Sequence, residues 1–345
     1  MSTAHATAEH LRWQAGWCTK LGSPLYGALL ERAADDVAAG GPVARLLGDR
    51  EASPRSMLGL KLMGAAHRLV LEGRAPDLAT FYPSVGGSAD PEPAWTAFSA
   101  LVADNPNDVE PGLDRPVQTN EVARAAALVG GFLEAVGITG LPLRIFEVGA
   151  SAGLHLRWDH YFYEARGRMW GPAESPVRLC SFNTERPPPF EVAAEVIERR
   201  GCDAHPVDPT TGDGRLTLLS YVWPDQVARH RLLRAALQVA QDVPADVEAA
   251  DLVAWVDRNV LTATGTTTIV YHSIVMQYLS EEDRLTFEGL LQERGGATSS
   301  TAPLAWLRME PGGAESEIRL TLWPGGVERV IATSGYHGQN VRWLA

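Results

Sequence analysis

Leu143-Arg144-Ile145-Phe146-Glu147-Val148-Gly149-Ala150-Ser151-Ala152-Gly153 decides how this chain reads. A short apolar run passes directly into a bend of small residues, and a helix-compatible segment continues to about Arg166. A buried parallel strand reads as an unbroken apolar run, so the expectation is strand, glycine-rich turn and helix. The texture returns at Leu216–Val222, followed by a helical pattern through Leu232, Leu233, Ala236 and Val239, and at Thr268–Val275, followed by Glu281–Leu291. Strands alternating with helices predict a parallel sheet covered on both faces. Further on, Leu304–Met309, Ile318–Trp323 and Val327–Thr333 read as strands with no helix between them. Pro324-Gly325-Gly326 is expected to join the last two as an antiparallel hairpin at the sheet edge.

Upstream of Leu143 the pattern is helical. Between Met57 and Leu71, the residues Leu58, Leu62, Ala65 and Leu69 fall on one helix face, and Val122, Ala125, Ala126, Val129, Phe132, Leu133 and Val136 repeat that spacing. Thr119 or Asn120 is placed to cap the second of these helices. From Pro76 to Pro116 the frequent Gly, Pro and Asp predict mostly loop, including a turn over Tyr82-Pro83-Ser84-Val85-Gly86-Gly87-Ser88.

The composition narrows the function classes. With 345 residues, 45% hydrophobic and 21% charged, the chain reads as globular and long enough for about two domains. Its 30 Lys and Arg against 42 Asp and Glu give a net charge of -12, which repels phosphate backbones and anionic lipid. Nucleic acid and membranes are therefore not expected partners, whereas a small molecule is. Cys18, Cys180 and Cys202 are odd in number and far apart, which predicts a reducing, cytoplasmic setting. No signal peptide or membrane span is expected either. Composition leaves the oligomeric state open.

The bend itself admits three readings. The spacing E-x-G-x-S-x-G over Glu147–Gly153 resembles the first motif of class I S-adenosylmethionine-dependent methyltransferases. That resemblance implies S-adenosylmethionine as cofactor, with Gly149, Ser151 and Gly153 lining its methionine part and Glu147 below the loop. It further implies acidic residues after the second and third strands, for the ribose and the adenine amino group. Asp225 and Asp251 take those places, and each is alternatively a helix cap. Because Leu154 to Asp213 is long for the family, Ser175–Cys180 stands as an alternative second strand, with Asp203 or Asp208 at the ribose. His272 is the first candidate for a base and Glu121 the second, an imidazole near neutrality being suited to taking a proton, although a buried core histidine reads equally well at 272. Gln118, Asn120 and Arg124, together with Tyr278, are read as substrate-binding, and Glu121 with Arg124 is alternatively a surface ion pair.

In the second reading Gly149-Ala150-Ser151-Ala152-Gly153 is a G-x-S-x-G nucleophile elbow, Ser151 acting with Asp251 and either His272 or His337. In the third the bend packs a helix against a strand, in a binding protein that retains the fold without catalysis. No metal site is expected, since Cys202-Asp203-Ala204-His205 lacks a second ligand pair, and no G-x-x-x-x-G-K-[ST] phosphate loop occurs. Through His67–Leu71, Tyr82–Gly87, Gln118–Glu121, the glycine bend, Trp223–Gln226, His272–Leu279 and Leu322–Gly326, the chain as a whole is similar to the bacterial family called domain of unknown function 2332. The similarity implies kinship without a reaction. The expected fold class is α/β, with a helical N-terminal cap over residues 1–140. A Rossmann-like, methyltransferase-type sheet over 141–345 follows, mostly parallel with an antiparallel C-terminal hairpin, and the expected activity is methyl transfer to a small molecule.

Overall fold

The computed structural model describes residues 3–53 and 56–345. The chain forms two compact units, one running to Thr119 and including Thr211–Arg231, the other combining Asn120–Thr210 with Leu232–Ala345. The division therefore falls near 120 rather than 140. Helix Arg124–Thr139 belongs to the sheet because Gly130 and Gly131 let Trp343 and Leu307 lie directly on its backbone, where a Cβ would collide with them.

The first unit is helical: Thr3–Lys20, Pro24–Ala39, Pro42–Leu47, Leu58–Leu71, Pro76–Ala79, Pro91–Asp104, Pro106–Leu113 and Gly212–Ser220. Leu11, Tyr26, Leu29, Leu62, Phe98 and Trp223 lie in its core. The stretch expected as loop between Pro76 and Pro116 is largely helix. Pro76, Pro91 and Pro106 each open a helix, a place where the missing N–H costs nothing and the fixed φ suits the first turn. Asp90 caps the second of these through the Glu92 amide at 3.3 Å. Leu216–Val222, expected as a strand, lies mostly in helix Gly212–Ser220, capped by Thr211 Oγ1 on the Gly214 amide at 3.0 Å. A short apolar run does not separate a buried helix from a buried strand.

That correction moves Asp225, which follows no strand. Its carboxylate accepts from Ser23 Oγ at 2.6 Å and from the Leu25 amide at 3.1 Å, at the start of helix Pro24–Ala39. Of its two readings, the helix cap is the one observed.

The second unit is built on an eight-stranded sheet among the described residues. Numbered in chain order within this sheet, its strands are β1 (Leu143–Val148), β2 (Val196–Asp203), β3 (Asp246–Ala249), β4 (Thr267–Ser273), β5 (Leu304–Pro311), β6 (Ser316–Trp323), β7 (Val327–Ser334) and β8 (Arg342–Trp343). The spatial order is β3-β2-β1-β4-β5-β6-β7-β8. The strands from β3 to β5 are mutually parallel and those from β5 to β8 antiparallel. This is a Rossmann-like α/β arrangement whose order reverses between β1 and β4. The expected hairpin forms between β6 and β7, but β8 takes the edge.

The helix expected after the glycine bend is replaced by a 3₁₀ segment, Leu154–His160, and a small sheet of Phe162–Ala165, Arg168–Trp170 and Arg178–Leu179. Arg157 interrupts helical geometry at φ -109°, its guanidinium donating to the main-chain oxygens of Gly153 and Val243, each at 2.7 Å. Trp158 then stacks between Phe132 and Trp170, with ring centres 4.5 and 5.0 Å away.

Asp225→Ala should lower the stability of the first unit by about 1–2 kcal/mol through loss of the cap, read as a lower urea midpoint. An unchanged midpoint would remove that role.

Candidate functional site

In an open parallel sheet, ligands bind outside the carboxyl ends of the strands where the order reverses. Here that place lies between the bend after β1 and the segment after β4. Gly149 (φ 68°), Ser151 (φ 52°) and Gly153 (φ 64°) are all left-handed, and so is Ile274 (φ 57°) just after β4. A β-branched residue in this region is a genuine outlier, and such strain concentrates at functional sites. Each bend thus holds one non-glycine residue in a strained conformation.

The two glycines serve close packing. A Cβ on Gly149 would sit 2.5 Å from Val275 Cγ2, and one on Gly153 would sit 2.8 Å from Val247 Cγ2. The protein's own valines therefore fill the spaces that the missing side chains create. Ser151 holds the position between them, with its amide donating to Asp203 Oδ2 at 2.8 Å. Asp203 ends β2, and its other oxygen accepts the His205 amide at 2.9 Å. A carboxylate offers about four acceptor sites, so this one retains capacity for further donors.

Beneath the bend, Glu147 is buried in a polar cluster. His155 Nε2 donates to the main-chain oxygen of Glu121 at 2.8 Å, and one proton lies between His155 Nδ1 and Glu147 Oε1, 3.0 Å apart. Tyr271 donates to Glu147 Oε2 at 3.3 Å. Burial raises the Glu147 carboxyl above its ordinary value despite those bonds. Asn120, expected to cap a helix, instead accepts the Leu154 amide on Oδ1 at 2.9 Å, while helix Arg124–Thr139 starts from Ala123 without a side-chain cap. Arg124 donates to the main-chain oxygens of Tyr336 (3.0 Å) and Ser273 (3.2 Å). The structure thus brings Asn120, Glu121 and Arg124 to the same end of the sheet as Glu147 and Ser151.

Residues 8–343 match the family model described as "Uncharacterized protein conserved in bacteria (DUF2332)". The chain belongs to this family. No curated protein and no solved structure matches it.

In this DUF2332 chain His272 is not set up as a base. It is fully buried, its Nδ1 donates to Glu310 Oε1 at 2.8 Å, and its Nε2 accepts from Trp306 Nε1 at 3.0 Å. Neither ring nitrogen is left for a substrate or for Ser151. Glu310 Oε1 also accepts the amides of Val275 (2.9 Å) and Met276 (3.3 Å), so His272 acts through Glu310 to hold the strained segment after β4. Burial pushes Glu310 up, but the bonds from His272 and the two amides outweigh it and leave the carboxyl below its ordinary value.

Asp251 follows β3 as expected and caps helix Leu252–Asn259 through the Ala254 amide at 2.9 Å. Tyr278 is exposed in the segment after β4, and Gln118 and Asp225 belong to the first unit. Burial pushes the Cys202 thiol up to about 12. Sequence reasoning missed Glu310, which no motif marks, and His155, which lies in the 3₁₀ segment that was expected to be helix. No helix among the described residues is long and apolar enough to cross a membrane.

Gly149→Ala should cost about 2–5 kcal/mol, adding left-handed strain to a collision with Val275, measurable by urea denaturation. Glu310, with its lowered carboxyl, stabilises the fold at neutral pH, and that contribution is lost as pH falls through the ordinary carboxylate range and below it. Acid titration of thermal stability should accordingly be flatter in Glu310→Gln than in the parent. Parallel curves would show that the carboxylate contributes nothing there.

Proposed function

We propose that the carboxyl end of the parallel strands in the second unit binds S-adenosylmethionine and transfers its methyl group to a small-molecule acceptor. The observation that carries this reading is Asp203, which ends the second parallel strand and holds the Ser151 amide of the glycine bend at 2.8 Å. Its remaining acceptor capacity suits the two ribose hydroxyls, in the position that resemblance to class I methyltransferases assigns to an acidic residue. Asp251 stands after the third strand, where that resemblance places the adenine contact. The spaces at Gly149 and Gly153 are filled by Val275 and Val247, so the Ser151 and Asp203 side of the bend is the part whose chemistry suits the cofactor.

The cofactor supplies an electrophilic methyl group on a sulfonium. The chain's part is alignment, which accounts for most of the catalysis of an in-line displacement, together with removal of one proton from an alcohol or amine acceptor. Glu121 is assigned that proton, since its main chain is pinned by His155 at the same end of the sheet. Calorimetry with S-adenosylmethionine and S-adenosylhomocysteine tests the reading. Asp203→Asn should bind about tenfold or more weaker, as expected when hydrogen bonds to a charged acceptor worth about 1.5–3 kcal/mol are weakened. No heat from either ligand at millimolar concentration would leave a binding protein that keeps only the fold.

One observation favours a second reading. Ser151 stands in the left-handed region on a G-x-S-x-G bend, as a nucleophile elbow requires. Fluorophosphonate labelling of Ser151, abolished in Ser151→Ala, would decide for hydrolysis.

A further inference from the structure

Ser84 and His67 lie together in the first unit and are untouched by the reading above. His67 is fully buried on helix Leu58–Leu71, its ring edge-on to Tyr82 and His230 with centres 5.4 and 5.3 Å away. Its Nδ1 is 3.1 Å from the main-chain oxygen of Ser220, an atom that only accepts. In the neutral ring Nδ1 therefore carries the proton and Nε2 its lone pair. That lone pair faces Ser84 Oγ at 2.8 Å, and Ser84 sits half-buried in the 3₁₀ turn Pro83–Val85. A hydroxyl within reach of a base whose far side is fixed by a third group is the arrangement that activates a serine.

We propose that Ser84 is a nucleophile activated by His67 and takes the acyl group of an activated ester or thioester. Ser84 Oγ forms a bond to the carbonyl carbon while its proton passes to His67 Nε2. The tetrahedral intermediate collapses with cleavage of the C–O or C–S bond, and the leaving alcohol or thiol takes the proton from the imidazolium. Water, deprotonated by the same nitrogen, then attacks the acyl-serine, releasing the carboxylic acid and restoring Ser84. The amides of Val85 and Gly87 donate to the Tyr82 oxygen, and that of Gly86 to the Pro83 oxygen, at 3.0–3.1 Å. With these donors already committed rather than aimed at an oxyanion, the expected behaviour is acyl capture with slow release.

Diisopropyl fluorophosphate applied to the full chain tests this, with the label located by peptide mass mapping. Ser84 should be modified at the same rate in the parent and in Ser151→Ala, and not in Ser84→Ala. His67→Gln, checked for folding by circular dichroism, should slow the modification about 100-fold or more. If His67→Gln does not fold, Ser84→Cys serves instead. Its new thiol should react with iodoacetamide at least about tenfold faster than the exposed Cys180 of the same chain. No label on Ser84, a rate indifferent to His67→Gln, or a Cys at position 84 no faster than Cys180 overturns the proposal.

Discussion

The sheet unit depends on one constraint: the chain must leave β1 through left-handed backbone while two valines lie against it. Gly149 and Gly153 are the residues for which this geometry carries no Cβ penalty, and Val275 and Val247 occupy the room so created. The bend thereby becomes a packed joint between β1, β3 and the segment after β4. Ser151 between the glycines and Ile274 opposite are kept in strained conformations by what surrounds them.

Polar groups secure that joint because a buried donor or acceptor without a partner is expensive. Asp203 holds the Ser151 amide, Asn120 the Leu154 amide, and Glu310 the amides of Val275 and Met276. Behind them, His155 links Glu147 to the main chain at Glu121, and His272 links Glu310 to Trp306. Each histidine has both nitrogens engaged, so each positions a carboxyl group rather than meeting a ligand. The acceptor sites left on Asp203 make it the centre of the proposed cofactor site.

The first unit uses the same pieces differently. His67, fixed on one side by a main-chain oxygen, turns its other nitrogen to a hydroxyl on a half-buried turn. An imidazole whose two nitrogens are both held by partners of fixed position is scaffold, whereas His67 turns one nitrogen to the hydroxyl of half-buried Ser84. That difference in partner separates His67 from His155 and His272.

The amino-acid sequence by itself determined the strands at β1, β4, β5, β6 and β7, the helices at Leu58–Leu71 and Arg124–Thr139, and the glycine bend, because unbroken apolar runs, helical spacing and small residues at a turn are local signals. Only the tertiary structure decided that the prolines between Pro76 and Pro116 begin helices, that Leu216–Val222 is mostly helical, and that β2 ends at Asp203 after a small aromatic sheet. It also decided the partners of His272, Glu310, His155 and Asp225, which lie 38, 8 and 202 residues away along the chain for the pairs His272–Glu310, Glu147–His155 and Ser23–Asp225. A side chain's hydrogen bonds are set by which strands and helices become neighbours, and no local pattern of residues records that.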